Sequence, residues 1–562
     1  MSLSTARKSR ETFADLFTPK LITVFREGYS LANFRSDLIA GLTVAVVALP
    51  LSMAIAIASG ATPQAGLFAA AVGGAVVSAL GGSRFQVGGP AGAFIVLVAA
   101  TIERLGYAGF LAATLMAGVI LLLIGYLRLG TYIKYIPHSV AVGFTAAIGL
   151  IIFSSQLHEL FGLQIAHEPA AFLPKVEALW AARETFNLAA TGMAAACLIL
   201  ILGLRTVAPR FPGLLAAVVL SALATWAFNL PIETVGSRFG EIPRVLPSPS
   251  LPHLAVRDWY GLLPAATAIA ILGGIESLLS AVVADGMTGR RHRSNCELTA
   301  QGWANIASAL FGGLCVTGAI ARTATNIRAG AHGPLAGIIH SATLLIFMLV
   351  AAPLAAHIPL AALAAVLAIV AWNMVEKDQI AVIFKYDRGE TLVFLATALL
   401  TVFEDITVGI ATGVTLGSLI FMHRMAQMVA VETHEKIFDD ESDDSEDAAG
   451  PETQDPDFVV YRITGPFFFG AASSVAAALD QIGTRPKAFV LDLTRVPLAD
   501  GAAAHALHGF IDRERKHGVR VYICGASRHV HRTLAAHGVN SRVAHYSADE
   551  ADAREHFLGH VV

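Results

Sequence analysis

The sequence predicts a polytopic α-helical membrane protein of two inverted seven-span repeats, whose third and tenth spans are half-helices after short strands, followed by a small α/β domain. Three observations predict it. Charges are sparse and clustered between Ser36 and Met425, whereas the last ~130 residues have the composition of a soluble domain. Two short apolar segments opening on Gly, Pro and Ala recur at matching places in the two halves. The tail alternates strand-like runs with amphipathic helical patterns.

Over 562 residues the chain is 55% hydrophobic and 14% charged, with a mean hydropathy of +0.63. Soluble domains carry about a quarter charged residues, so a wholly soluble protein is excluded. The N-terminal stretch "MSLSTARKSRETFADLFTPK" is polar and lacks the pattern of a cleavable signal. Cys197, Cys296, Cys315 and Cys524 are scattered, without a CxxC pair or nearby histidines, and read as isolated buried thiols. The expected divisions are a cytoplasmic segment over 1–35, a transmembrane domain over 36–425, an acidic linker over 426–456 and the α/β domain over 457–562.

A span needs about 20 mainly apolar residues. Candidates lie near 37–57, 62–80, 89–102, 107–127, 136–156, 185–206 and 211–230. After a proline-rich stretch from Pro231 to Pro252 they resume near 260–285, 298–312, 317–331, 333–353, 358–374, 389–403 and 405–423. Cytoplasmic loops collect Lys and Arg. With the N-terminus inside, Arg128, Lys134, Arg205, Arg210, the "GRRHR" run at Gly289–Arg293, Lys377, Lys385 and Arg388 all fall inside. Arg238, Arg244 and Arg257 fall in one longer outer loop, and both termini are cytoplasmic.

Seven spans per half insert the second half upside down relative to the first. "GGPAGAF" opens the third span at Gly88 and "VTGAIAR" the tenth at Val316, 228 residues apart. "YIPHSVAVGF" opens the fifth at Ile136 and "HIPLAALAAV" the twelfth at Ile358, 222 residues apart. Similar offsets at two independent points mark a duplicated unit, the common architecture of secondary transporters.

The extended-looking runs "SRFQV" and "LCV" precede the two short spans. If both spans begin at the membrane midplane, two helix N-termini face one another there, and their free N–H groups suit an anion. Arg322 falls in the first turns of the tenth helix. An arginine at bilayer depth costs roughly 2.5–3.5 kcal/mol to insert and should face a cavity or a partner. Glu276 lies near the centre of the eighth span, with Ser280 one turn on. Glu276 is read as the coupling acid, binding a proton or, with Ser280 and carbonyls, sodium; a fixed Glu276–Arg322 pair is the plainer alternative. His138, His332, His340 and His357 are placed at span ends by interfacial packing, and Glu404 and Asp405 in a solvated turn.

In the tail, Glu432–Asp457 is acidic and reads as a flexible linker. The runs "DFVVYRI", "AFVLDLTRV" and "VRVYICGA" read as strands of a sheet covered on both faces. No phosphate-cradling loop, catalytic constellation or zinc pattern is present, and an enzyme is not expected.

Together these features resemble the SulP family of sulfate permease and prestin-like anion transporters. "SDLIAGLTVAVVALPLSMAIAIASG", "GGPAGAF", "SNCELTAQGWANIASALFGG" and "TGAIARTATNIRAGA" resemble its first-, third-, ninth- and tenth-span signatures. "GPFFFGAA" and "VLDLTRVPLADGAAAHAL" resemble a STAS domain. The resemblance implies a core and a gate domain, elevator-like movement and a STAS-assisted homodimer. It places the anion site at Gly89, Pro90, Ala91, Gly92 and Ala93 and at Thr317, Gly318, Ala319, Ile320, Ala321 and Arg322. Leu51, Ser52 and Met53 contribute from the first span, and the coupling acid maps to Glu276, with Ser280 as a cation ligand. The chain departs from many members at Ala321 and Leu51, where serine and glutamine are usual, and at Gly501, where related domains are phosphorylated.

The expected function is secondary active transport of an inorganic oxyanion, sulfate with proton symport, in the inner (plasma) membrane. Sodium-coupled bicarbonate transport and proton-coupled C4-dicarboxylate transport are the alternatives. An anion channel, or a sensor whose STAS domain binds a cytoplasmic partner, is the different class. No cofactor beyond the coupling proton or sodium ion, and no nucleic-acid partner, is expected.

Overall fold

The computed structural model describes residues 13–133, 137–165, 171–208, 212–240, 243–252, 259–404, 406–433, 457–472 and 486–558, with Pro169 and Val475. Lys134, Ile136, Arg210, Arg257, Asp405, residues 1–12 and most of the acidic stretch (434–456) lie outside them. The chain forms two compact units, Met1–Val414 and Thr415–Val562.

Each of the fourteen expected spans falls on helix. Among the described residues nine helices are long and apolar enough to cross a membrane. That count takes spans 3 and 4 as one element, Gly92–Tyr126. The chain turns inside it at Gly106, whose φ of 69° suits a residue without Cβ. Span 1 (Leu31–Ala58) begins six residues earlier than expected, because Ser30 caps it by accepting from the Asn33 amide at 3.2 Å. Asn187 and Asp387 cap spans 6 and 13 in the same way. Span 2 is not uniform: its middle, Ala69–Gly73, is a π-helical turn.

Packing sorts the spans into two groups. Span 9 (Ser294–Leu310) lies on span 4, span 8 (Trp259–Thr288) on the span 3–4 helix, and span 11 (Leu335–Ala355) on spans 1 and 2. Span 12 (Leu360–Met374) and span 13 (Arg388–Phe403) lie on span 5 (His138–Phe161), and span 6 (Leu188–Val207) on spans 7 and 12. Span 12 also touches span 1 across the groups. Exchanging the halves turns the 9–4 contact into 2–11 and the 5–13 contact into 12–6, and all four are present. Spans 4 and 9 approach through Gly118 and Gly302, where a Cβ on either would sit 2.7 Å from the other's carbonyl oxygen.

The two expected extended runs meet one or two residues later than read. Strand β1 (Gly88–Gly89) pairs antiparallel with β2 (Thr317–Gly318), Gly88 opposite Gly318 and Gly89 opposite Thr317. Equivalent segments of the two halves thus run in opposite directions, as an inverted duplication requires. Glycine is needed there because a Cβ on Gly318 would collide with Gln86 and one on Gly88 with Val77.

One histidine differs from expectation. His340 is not at an interfacial span end but is wholly buried within span 11, facing the interior of its group. The periodicity of an all-apolar helix gave no hint of which face it occupies. All four cysteines are buried and none forms a disulfide.

The second unit holds a five-stranded sheet in the order β3 (Ala430–Thr433), β4 (Phe458–Thr464), β5 (Ala488–Asp492), β6 (Arg520–Cys524), β7 (His545–Ser547). β3 is antiparallel to β4, and the remaining pairs are parallel. Helices cover both faces, as expected. Gly501–Lys516 and Arg528–Ala536 pack on the side of Ile463, Leu491 and Ile523, and Glu550–Leu558 on that of Val460, Val490 and Tyr522. Ala430–Thr433, inside the stretch read as linker, is therefore a strand; four residues beside an acidic run are too few to carry a pattern.

Asp492 ends β5 and is buried. Its Oδ2 accepts from Arg462 Nε at 2.7 Å and its Oδ1 from the Thr494 amide at 2.8 Å. Burial alone would raise its carboxyl, but the hydrogen bonds from Thr494 and Arg462 outweigh it and hold the group below its ordinary value. An acid depressed in the folded state stabilises the fold above its unfolded value, and that contribution fades as the pH falls. Asp492→Asn should therefore cost this domain about 1–3 kcal/mol at neutral pH. The loss should shrink below about pH 4, read by hydrogen exchange of β4 and β5 peptides in the full-length protein.

Candidate functional site

The β1–β2 pair places two helix starts side by side. Beyond β1 the chain extends through Ala91, makes a 3-10 turn at Gly92–Phe94 and enters the helix at Ile95. Beyond β2, Ala319 is extended and the span 10 helix runs Ile320–Arg328. Neither start has a side-chain cap, so first-turn N–H groups are open to a ligand. Gly92 faces span 5 at Ile152 and span 12 at Met374, where the two packing groups meet. Ala321 is exposed and Ile320 half-buried, whereas Gly89, Pro90, Ala91, Ala93, Thr317, Gly318 and Ala319 are buried.

Arg322 is 2% exposed and knits three elements together. Its Nη2 donates to Ser52 Oγ of span 1 at 3.1 Å and to the Pro90 carbonyl at 3.0 Å, while Nη1 points at the Gly88 carbonyl at 3.5 Å. The Nη donors are thus spent on protein oxygens while Nε is buried without a partner, and the guanidinium offers a neighbouring anion its charge. Pro50, inside the span 1 helix, removes one backbone N–H just before Leu51, Ser52 and Met53, which are all buried. Ser52 Oγ also donates to the Ala48 carbonyl at 2.6 Å.

A Cβ on Gly89 would collide with the Arg322 guanidinium. Gly89→Ala should therefore displace Arg322 and raise the concentration of anion needed for half-maximal uptake by at least about tenfold. Displacing a buried, hydrogen-bonded guanidinium should also lower thermal stability, so uptake is read per folded molecule beside melting of the purified protein.

Glu276 sits on span 8 with Oε2 buried and without a hydrogen-bond partner. Thr317 Oγ1 is likewise buried without a hydrogen-bond partner, and the Arg322 charge acts on Glu276. The structure thus gathers Glu276, Thr317 and Arg322, with no direct Glu276–Arg322 ion pair. Ser280 is placed differently: its hydroxyl donates to Thr323 Oγ1 at 3.2 Å, and that oxygen accepts from the Val87 amide at 3.2 Å.

Residues 34–397 match the sulfate permease family, and residues 451–553 match the STAS domain. The chain belongs to the sulfate permease family. Like its family, it is a multi-pass membrane protein. It is 38% identical over 539 residues to the "Putative sulfate transporter YvdB" of Bacillus subtilis (strain 168), covering 95% of this chain and 98% of that one. It is 30% identical over 520 residues to the "Bicarbonate transporter BicA" of Picosynechococcus sp., covering 89% and 90%. Murine Solute Carrier 26 family member A9, solved in the inward-facing state, superposes with a TM-score of 0.83 over 100% of this chain and 96% of that one. At 19% identity that likeness is one of fold.

Three polar residues of this permease's site escape a reading of spacing alone. Gln86 Nε2 donates to the Ser277 carbonyl at 3.1 Å, Ser277 Oγ accepts from the Gly318 amide at 3.1 Å, and Thr323 bridges Ser280 to Val87. Ser277 and Thr323 adjoin Glu276 and Arg322 in sequence, and Gln86 is the one uncharged amide in "SRFQV". Those adjacencies were the available signal.

Proposed function

We propose that this permease is a secondary active transporter of an inorganic oxyanion, sulfate carried in symport with protons, by elevator-like alternating access. The observation that carries the reading is the meeting of two uncapped helix starts across β1–β2. The buried Arg322 charge lies beside them and the unpartnered carboxylate oxygen of Glu276 within its reach. An anion seated there gains from two helix dipoles and one fixed cation. Glu276 changes charge when it gains or loses a proton, which ties the anion's binding energy to the proton. The group holding spans 1–4 and 8–11 is the moving core, and spans 5–7 and 12–14 are the gate. Both termini are cytoplasmic, the protein resides in the plasma membrane, and the soluble unit supports a homodimer and a cytoplasmic partner.

The similarity to a protein named as a putative sulfate transporter favours sulfate. Proton coupling is favoured over sodium because Ser280, the oxygen a sodium ion would need beside Glu276, is turned to Thr323. Sodium-coupled bicarbonate transport is the second reading, favoured by the similarity to a bicarbonate transporter. The test is uptake of labelled sulfate, bicarbonate and succinate into proteoliposomes under imposed proton or sodium gradients. Accumulation of sulfate driven by protons alone supports the first reading. Sodium-driven bicarbonate uptake replaces it with the second, and uptake that never exceeds equilibrium under any gradient makes the protein a channel or sensor.

A further inference from the structure

Span 9 carries Glu297, Gln301, Asn305 and Ser308, spaced four, four and three residues apart and hence on one face of the helix. All four are buried to within 1% of complete. At one end Glu297 Oε2 accepts from the amides of Gly82 (2.9 Å) and Ser83 (3.1 Å), in the segment that leads into β1. Its Oε1 accepts from Gln301 Nε2 at 2.9 Å. At the other end Asn305 grips the residue before β2 on both sides: Nδ2 donates to the Val316 carbonyl at 2.8 Å and Oδ1 accepts from the Val316 amide at 2.9 Å. The side-chain amide serves as one more rung beside β2, and Nδ2 also donates to the Gln301 carbonyl at 2.8 Å. Ser308 Oγ donates to the Leu314 carbonyl at 2.5 Å.

We propose that this face of span 9 is a positioning ladder which fixes both strand–helix junctions on one rigid ruler, and so sets the affinity of the site between them for its anion. The inference rests on the transport reading above. From Glu297 to Ser308 the helix rises about 16 Å. It grips the lead-in to the first half's helix start at one end and the lead-in to the second half's at the other. Glu297 differs from Glu276 in kind. Its carboxylate is surrounded by three donors and has no free oxygen to trade, whereas Glu276 Oε2 has none. Helix N–H groups stabilise an anion only at hydrogen-bond distance, so a shift of either junction by about an ångström forfeits them. None of the four side chains touches the helix starts directly; they act through Gly82–Ser83 and Leu314–Val316.

The test compares full-length wild type with Asn305→Ala, Asn305→Asp and Ser308→Ala in proteoliposomes, with Trp303→Leu on an exposed position of the same helix as control. Labelled sulfate uptake is read alongside hydrogen exchange of peptides covering residues 80–90 and 312–320. For Asn305→Ala the expected result is faster exchange over 312–320 and a KM for sulfate raised about tenfold, the equilibrium effect of leaving a buried peptide unpaired. Vmax per folded molecule and the accumulation ratio should be unchanged. Asn305→Asp keeps the acceptor for the Val316 amide but sets a buried carboxylate oxygen against the Val316 and Gln301 carbonyls, and should exceed Asn305→Ala in both readouts. Ser308→Ala removes one donor at the same end and should raise KM about threefold, which keeps the test open if Asn305→Ala does not fold. Exchange unchanged in all three variants overturns the ladder. Faster exchange with KM unchanged overturns its role in anion affinity, as does a fall in folded protein with KM untouched. Absence of sulfate, bicarbonate or succinate uptake by wild type overturns the transport reading, and this inference with it.

Discussion

Replacing Arg322 by glutamine should abolish saturable anion uptake, and lysine should not restore it. The guanidinium is buried and fixed by a fork of donors to Ser52, Pro90 and Gly88. Truncating one member of a desolvated charge interaction typically costs 2–5 kcal/mol, roughly a 30- to 5,000-fold loss of affinity. Glutamine keeps a donor for one carbonyl and removes the charge an anion would feel. Lysine keeps the charge but has a compact head that cannot reach three acceptors in one plane. The measurement is sulfate uptake against concentration for the three proteins, with melting curves to show that the variants remain folded. Uptake by the glutamine variant within a factor of three of wild type would place the anion elsewhere.

The second large effect is expected at Glu276, and it is an effect on coupling. Glu276→Gln preserves size and hydrogen-bonding capacity while fixing the side chain in a neutral state. If proton gain and loss at this position couples the two fluxes, the variant should still equilibrate labelled sulfate across the membrane and exchange it for unlabelled sulfate. It should fail to concentrate it when a proton gradient is imposed. A ligand or proton can drive a conformational equilibrium only through its differential affinity for the two states, and glutamine has no proton to bind differently. Concentrative uptake by the variant at the wild-type ratio would move coupling to another residue.

Much of this was legible in the sequence for a physical reason. Lipid forces every spanning segment to satisfy its own backbone, so hydropathy finds the helices. The same constraint makes Gly89, Pro90 and Gly318 conspicuous, because broken helices at depth need small residues and extended backbone. Arg322 and Glu276 stood out because charge is rare there. What stayed hidden is the pairing between polar side chains and distant backbone. Asn305 with Val316, Gln86 with Ser277 and Thr323 with Val87 join a polar side chain to a backbone group, and backbone partners leave no mark in a sequence. The π-helical turn at Ala69–Gly73 was invisible for a related reason: it is a backbone geometry in an apolar segment, at the place where Gly73 packs on Val316. His340 was misplaced because burial on a helix apolar all round has no periodic signature.

The β1–β2 pair also dictates something about biosynthesis. Its two strands are separated by more than 200 residues of chain. While the ribosome is still making the second half, Gly88 and Gly89 are already threaded, with their ladder partners not yet synthesised. Unmet peptide groups in hydrocarbon each cost several kcal/mol. The first seven spans alone therefore lack the ladder partners of Gly88 and Gly89, and the site between the two helix starts is complete only once Thr317 and Gly318 have been made.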